Sequence, residues 1–149
     1  MSDLTEKWTD RFIGLAKHFA EWSEDDSTRV GAVIISADKD IRSWGWNGLP
    51  RGVQSLPERF ERPVKYYYFE HAERNAIYNA TRNGICLKDS LMFVTHFPCP
   101  DCARAIIQSG VKEVYYCTVV SGEKWSAGHQ ITLQMFRESG VTVHVLDQA

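Results

Sequence analysis

The spacing of apolar residues changes along the chain, and each change marks an element. Leu4, Trp8, Phe12, Leu15, Ala16 and Phe19 recur at helical intervals, which predicts an amphipathic helix from Leu4 to Trp22. The polar stretch SEDDST ends it. RVGAVIIS from Arg29 is an apolar run of buried-strand length, DIRSWGWNG from Asp40 is a second strand, and the short turn ADKD between them predicts a hairpin. From Gly48 to Glu70, three prolines and no steady period predict a long loop that ends in an extended aromatic segment, KYYYF. Alternation along that segment would turn at least one of Tyr66, Tyr67 and Tyr68 toward a core. Loops of such length usually carry function.

The second half alternates between the two periods. HAERNAIYNATRNG predicts a helix with Ala72, Ala76, Ile77 and Ala80 on its apolar side and Gly84 as its stop. SLMFVTHF is a strand. CPDCARAIIQSG is a helix with Pro100 in its first turn, where a missing N–H costs nothing, and Gly110 at its end. KEVYYCTVV, SAGHQITLQMFRESG and VTVHVL then read as strand, helix and strand. Strands separated by helices require parallel crossovers, whereas the opening hairpin is antiparallel. The predicted fold class is therefore α/β, a three-layer α/β/α arrangement with a mixed five-stranded sheet, and the expected organisation is one domain over residues 1–149.

Composition narrows the setting. A formal charge of -2 and a pI near 6.2 argue against broad nucleic-acid binding, which needs clustered Lys and Arg. A small anionic ligand stays compatible through a few local cations. The apolar runs are too short to span a membrane, and the N-terminal MSDLTEKWTDRF lacks the apolar segment of a secretory signal. A cytoplasmic protein is expected. In a reducing compartment Cys86, Cys99, Cys102 and Cys117 are not expected to form disulfides, and the tight Cys99/Cys102 spacing points to metal or redox chemistry. Cys86 and Cys117 read as small buried hydrophobes.

Cys99 and Cys102 stand at positions i and i+3 of a helix start, so both sulfurs project from its first turn, where the helix dipole favours thiolates. His71 opens another helix, and Glu73 follows two residues later. Two sulfurs and one imidazole make three tetrahedral zinc ligands, leaving a fourth position for water. Zinc lowers the pKa of such a water toward neutrality, and Glu73 would then carry protons to a ring nitrogen and to a departing amine. The spacing H-x-E followed by P-C-x-x-C is the zinc-deaminase signature, matched here by His71-Ala72-Glu73 and Pro98-Cys99-Pro100-Asp101-Cys102. Each half alone is weak. A histidine at a helix start also serves as a cap, and C-x-x-C also serves redox chemistry or half of a structural zinc site. His96, at a strand end, reads as a hydrogen-bonded core histidine, and Asp101 and Arg104 as surface residues.

With these residues in view, the chain resembles the cytidine and deoxycytidylate deaminase superfamily, most of all its deoxycytidylate (dCMP) deaminase branch. The resemblance runs from about Trp22 to Val145 and rests on STRVGAVI, WNGLPRG and FPCPDCARAIIQSGVKEVYY as well as the zinc motifs. It implies a cytidine-deaminase-like fold, a zinc cofactor held by His71, Cys99 and Cys102, and Glu73 as proton shuttle. It implies also that Asn47 hydrogen-bonds the substrate sugar, that the Ala72 backbone helps to read the pyrimidine, and that the chain is a homo-oligomer. Hydrolytic deamination of a small-molecule cytosine nucleotide or nucleoside, dCMP before others, is the expected activity. Related deaminases of nucleosides, of guanine and of tRNA adenosine share the zinc motifs. The NGLPRG segment and the following insertion favour the nucleotide branch. Where that branch carries a tyrosine after the fourth strand, this chain has Val119 and Val120. Trp125 is the candidate to stack on the base instead, and Arg29, Arg51 and Lys124 are candidate phosphate contacts.

Overall fold

Strand β1 (Gly31–Ile35) runs antiparallel to both of its neighbours, β2 (Ile41–Trp46) and β3 (Leu91–Val94). Strands β4 (Glu113–Cys117) and β5 (Thr142–Leu146) then add in parallel, giving the order β2-β1-β3-β4-β5. This is the mixed five-stranded sheet that the strand and helix alternation predicts. The computed structural model describes residues 4–117 and 127–146, so Val119, Val120, Lys124 and Trp125 lie outside the described residues.

Helix α1 (Glu6–Ala20) covers one face of the sheet. Its Phe12, Ile13 and Ala16 pack on Val33, Ile35, Leu91 and Phe93. After the single-turn helix α2 (Lys65–Tyr68) come α3 (Ala72–Arg82), α4 (Pro100–Ser109) and α5 (Ala127–Ser139). The last three bury Ala76, Ala80, Ala103, Ile106 and Phe136 against Ile34, Met92, Val94 and Val114 on the opposite face. Both faces are thus covered, which is why β1, β3 and β4 are buried along their whole length rather than in alternation. Among the described residues no helix is long and apolar enough to cross a membrane.

Small residues bring helices close to the sheet. A Cβ on Gly45 of β2 would lie 2.5 Å from Ala76 N and 2.7 Å from Ala72 O, so only glycine lets the start of α3 sit directly on the strand. Ser43 Oγ donates to Ala76 O at 2.6 Å. The Asn75 and Asn79 side chains donate to Trp46 O and Trp44 O, each at 2.7 Å. These bonds fix α3 against the edge strand.

Two expectations are corrected. The KYYYF segment is not extended: residues Lys65–Tyr68 form a helical turn closed by the Phe69 N–H to Lys65 O. Tyr66 and Tyr67 are 63% and 88% exposed, whereas Lys65 is 6% exposed. The turn is oriented by the Lys65 ammonium reaching Asp25, not by the apolar rings. Cys86 is exposed and not a buried hydrophobe, because it sits in the loop after α3; Cys117 is buried as expected.

Candidate metal centre and active site

His71 and Cys99 are both residues that immediately precede a helix, with extended backbone, and Cys102 lies in the first turn of α4. The His71 carbonyl accepts from Asn75 N–H, and the Cys99 carbonyl from Ala103 N–H, so each residue is locked as the first hydrogen-bonded position of its helix. Across the two helix beginnings, His71 Nδ1 is 3.4 Å from Cys99 Sγ and 3.4 Å from Cys102 Sγ. Arg74 of α3 bridges to Glu70 Oε1 at 2.6 Å and to Asp101 Oδ2 at 3.8 Å, which ties α3 to α4 next to the cluster.

The donor set fits zinc. With Zn–N near about 2.0 Å and Zn–S near about 2.3 Å, a tetrahedral site spaces a ring nitrogen and a thiolate sulfur by roughly 3.5 Å. The two observed separations match that edge. Among the described residues, no further His, Cys, Asp or Glu joins the group, and three protein donors are the count of a catalytic zinc site, whereas structural sites close with four.

The ionisable groups of the cluster shift one another strongly. A hydrogen bond from Cys102, followed by the opposing effect of burial and by help from His71, brings the Cys99 thiol down to about 4. Cys102 is pushed up by its hydrogen bond to that thiolate and by burial. The Cys99 hydrogen bond raises His71. Glu73 is buried in the first turn of α3, and desolvation pushes its carboxyl up to about 7. A carboxyl at that position gives and takes a proton near neutral pH.

A cavity of about 300 Å³ opens onto this cluster. The structure brings His71, Ala72, Glu73, Cys99 and Asn47 together in its wall. Asn47 is committed to the loop above β1. Its Oδ1 accepts from Val30 N–H at 2.8 Å, and its Nδ2 donates to Thr28 O at 2.8 Å. Arg29 and Arg51 are not in that wall. Arg29 donates to Asp25 O, and Arg51 donates to Asn79 Oδ1 and lines a separate depression beside β2. Lys124 and Trp125 fall outside the described residues.

Among the wall residues not picked out as site residues from sequence are Arg62, Lys65 and His96. His96 carries burial that lowers its pKa, but it faces the cavity rather than the core. The available signal was its position three residues before Cys99, which any element carrying Cys99 to the site must bring along. Lys65 forms a buried pair with Asp25 at 2.9 Å and also donates to Ser27 Oγ at 2.9 Å. Nothing local in the sequence marks that pair.

Comparison with known proteins agrees with this geometry. Residues 6–118 match the family model described as the cytidine and deoxycytidylate deaminase zinc-binding region. The chain is 41% identical to an uncharacterized deaminase in the luxG 3' region of Aliivibrio fischeri, with 94% of each chain covered. It is 36% identical to the deoxycytidylate deaminase of Mus musculus, covering 95% of this chain and 85% of that one. A solved structure of dCMP deaminase from the cyanophage S-TIM5, in complex with dCMP and dUMP, superposes with a TM-score of 0.79 at 27% identity over 96% of this chain and 99% of that one. The zinc-type donor cluster, the buried glutamate beside it and the matched region together show that this chain belongs to the cytidine and deoxycytidylate deaminase family.

Proposed function

We propose that the protein is a zinc-dependent hydrolase that converts dCMP to dUMP with release of ammonia. The observation that carries the reading is the meeting of His71 Nδ1 with both sulfurs at 3.4 Å, next to a buried Glu73 in the wall of a single cavity. The mouse relative named deoxycytidylate deaminase and the phage structure holding dCMP and dUMP support the choice of substrate.

His71, Cys99 and Cys102 would hold the metal. Bound zinc supplies a Lewis acid that makes water a nucleophile at neutral pH. Glu73 takes a proton from the attacking water as its oxygen bonds to C4 of the cytosine ring, and passes that proton to the ring nitrogen N3. The second proton, lost by the hydroxyl now on C4, travels through the same carboxyl to the exocyclic amine. The C4–N bond then breaks with its electron pair on nitrogen, and ammonia leaves a uracil carbonyl behind. Burial suits Glu73 to this double transfer, because a pKa near neutrality costs little in either direction. In this reading the Ala72 backbone, at the start of α3, would read the pyrimidine edge, and Asn47, which holds the 25–30 loop, would lie beside the sugar.

Glu73→Gln tests the reading. The expected result is a folded protein that keeps its zinc and loses at least about 100-fold in the rate of ammonia release from dCMP. A variant that works at the parent rate overturns the role of Glu73. Turnover of a panel of dCMP, CMP, deoxycytidine, cytosine, guanine and adenosine tests the substrate, with dCMP expected to have the highest kcat/KM.

A further inference from the structure

The charges in the cavity wall do not cancel. Asp25 is neutralised by Lys65, with Nζ 2.9 Å from Oδ2. Glu70 is neutralised by Arg74. Glu73 stands at the reacting end beside the metal ligands. Arg62 is the wall cation left over: among the described residues no carboxylate lies within ion-pair distance of it. Its side chain makes a long hydrogen bond, Nη2 to Ser27 Oγ at 3.4 Å, and its guanidinium is 6.0 Å from the centroid of the exposed Tyr66 ring. Ser27 Oγ is already engaged, since it receives Lys65 Nζ at 2.9 Å and lies 2.9 Å from Asp25 Oδ1. Arg62 is therefore loosely tethered, exposed and in the wall of the same cavity as Glu73.

We propose that Arg62 binds the phosphate of the nucleotide substrate and thereby sets the preference for nucleotide over nucleoside. The inference rests on the dCMP reading above. A nucleoside monophosphate that delivers C4 of its base to Glu73 carries its phosphate at the opposite end of the molecule, away from the metal-ligand cluster. An exposed guanidinium in the remaining wall meets that dianion with a planar fork of donors, the geometry best matched to phosphate oxygens. Arg62 needs to give up only a long, weak bond to do so. The Lys65 and Asp25 pair keeps Ser27 in place beneath it, so at this end of the wall the anion meets a cation that has no carboxylate partner among the described residues.

The test compares dCMP with deoxycytidine in the zinc-loaded protein, first in the parent and then in Arg62→Ala and Arg62→Lys. Loss of a charge-assisted phosphate contact should lower kcat/KM for dCMP by about 10- to 100-fold, mostly through KM, because the contact lies far from the reacting carbon. The value for deoxycytidine should stay within about twofold, which a general folding or zinc defect would not allow. Arg62→Lys should retain part of the preference. A parent that favours dCMP, with that preference unchanged in Arg62→Ala, overturns the role of Arg62 and leaves the dCMP reading intact. A parent that processes deoxycytidine as well as dCMP overturns both.

Discussion

Lys65 Nζ lies 2.9 Å from Asp25 Oδ2, in a pair whose side chains are 7% and 6% exposed. It joins the loop before β1 to the turn before His71, across 40 residues of sequence. Replacing Lys65 with Met leaves the Asp25 carboxylate buried without its counter-charge. The expected cost is about 3–5 kcal/mol of unfolding free energy, with the Asp25→Asn, Lys65→Met double variant recovering part of it. Urea denaturation of the three proteins measures this, and a Lys65→Met protein as stable as the parent would contradict it.

The same pair gives a pH dependence with a definite sign. Burial acts to raise the Asp25 pKa, but Lys65, the Ser27 N–H and hydroxyl and the Thr28 N–H outweigh it and hold the carboxyl below its ordinary value. The unfolded chain binds that proton near pH 3.9, so the stabilisation is complete above about pH 4 and is lost as pH falls through the lower folded-state value. The stability gap between parent and Asp25→Asn should therefore be constant at neutral pH and narrow only in acid. Melting temperatures taken from pH 7 to pH 3 would show it; a gap that closes between pH 7 and pH 5 would not fit.

Gly45 supports the metal centre from below. A methyl group there would meet backbone atoms Ala76 N at 2.5 Å and Ala72 O at 2.7 Å, and backbone cannot swing aside as a side chain can. Gly45→Ala should cost about 1–3 kcal/mol and displace the start of α3, weakening zinc binding because His71 and the two cysteines would no longer converge. Competition with a chromogenic chelator reads the affinity. Unchanged zinc affinity in a destabilised variant would separate the packing of α3 from the aim of His71.

The parts of the site that could be read in the sequence are those whose partners are close along the chain. Cys99 and Cys102 share a helical turn, His71 and Glu73 share a helix start, and Pro100 and Gly110 mark the two ends of α4. The helix and strand periods around them were equally plain, which is why the sheet and its mixed connectivity could be anticipated. Lys65 could not be placed, because its orientation depends on Asp25 far away, and an aromatic run has no period that separates a strand from a single helical turn. Two of the candidate cations lie outside the cavity wall for a related reason. Arg29 and Arg51 lie near the expected motifs in sequence, but which cation faces a cavity is decided by the path of the long loop, and that path brings Arg62 there instead.

Asn75 and Asn79 hold the carbonyls of Trp46 and Trp44 on β2, the outermost strand of the sheet. Free carbonyls on such a strand are a template on which another molecule can lay its own chain. The helix that aims the imidazole is thus also the shield of that rim. Whatever loosens α3 bares an aromatic border with open acceptors, on which a second chain can pair.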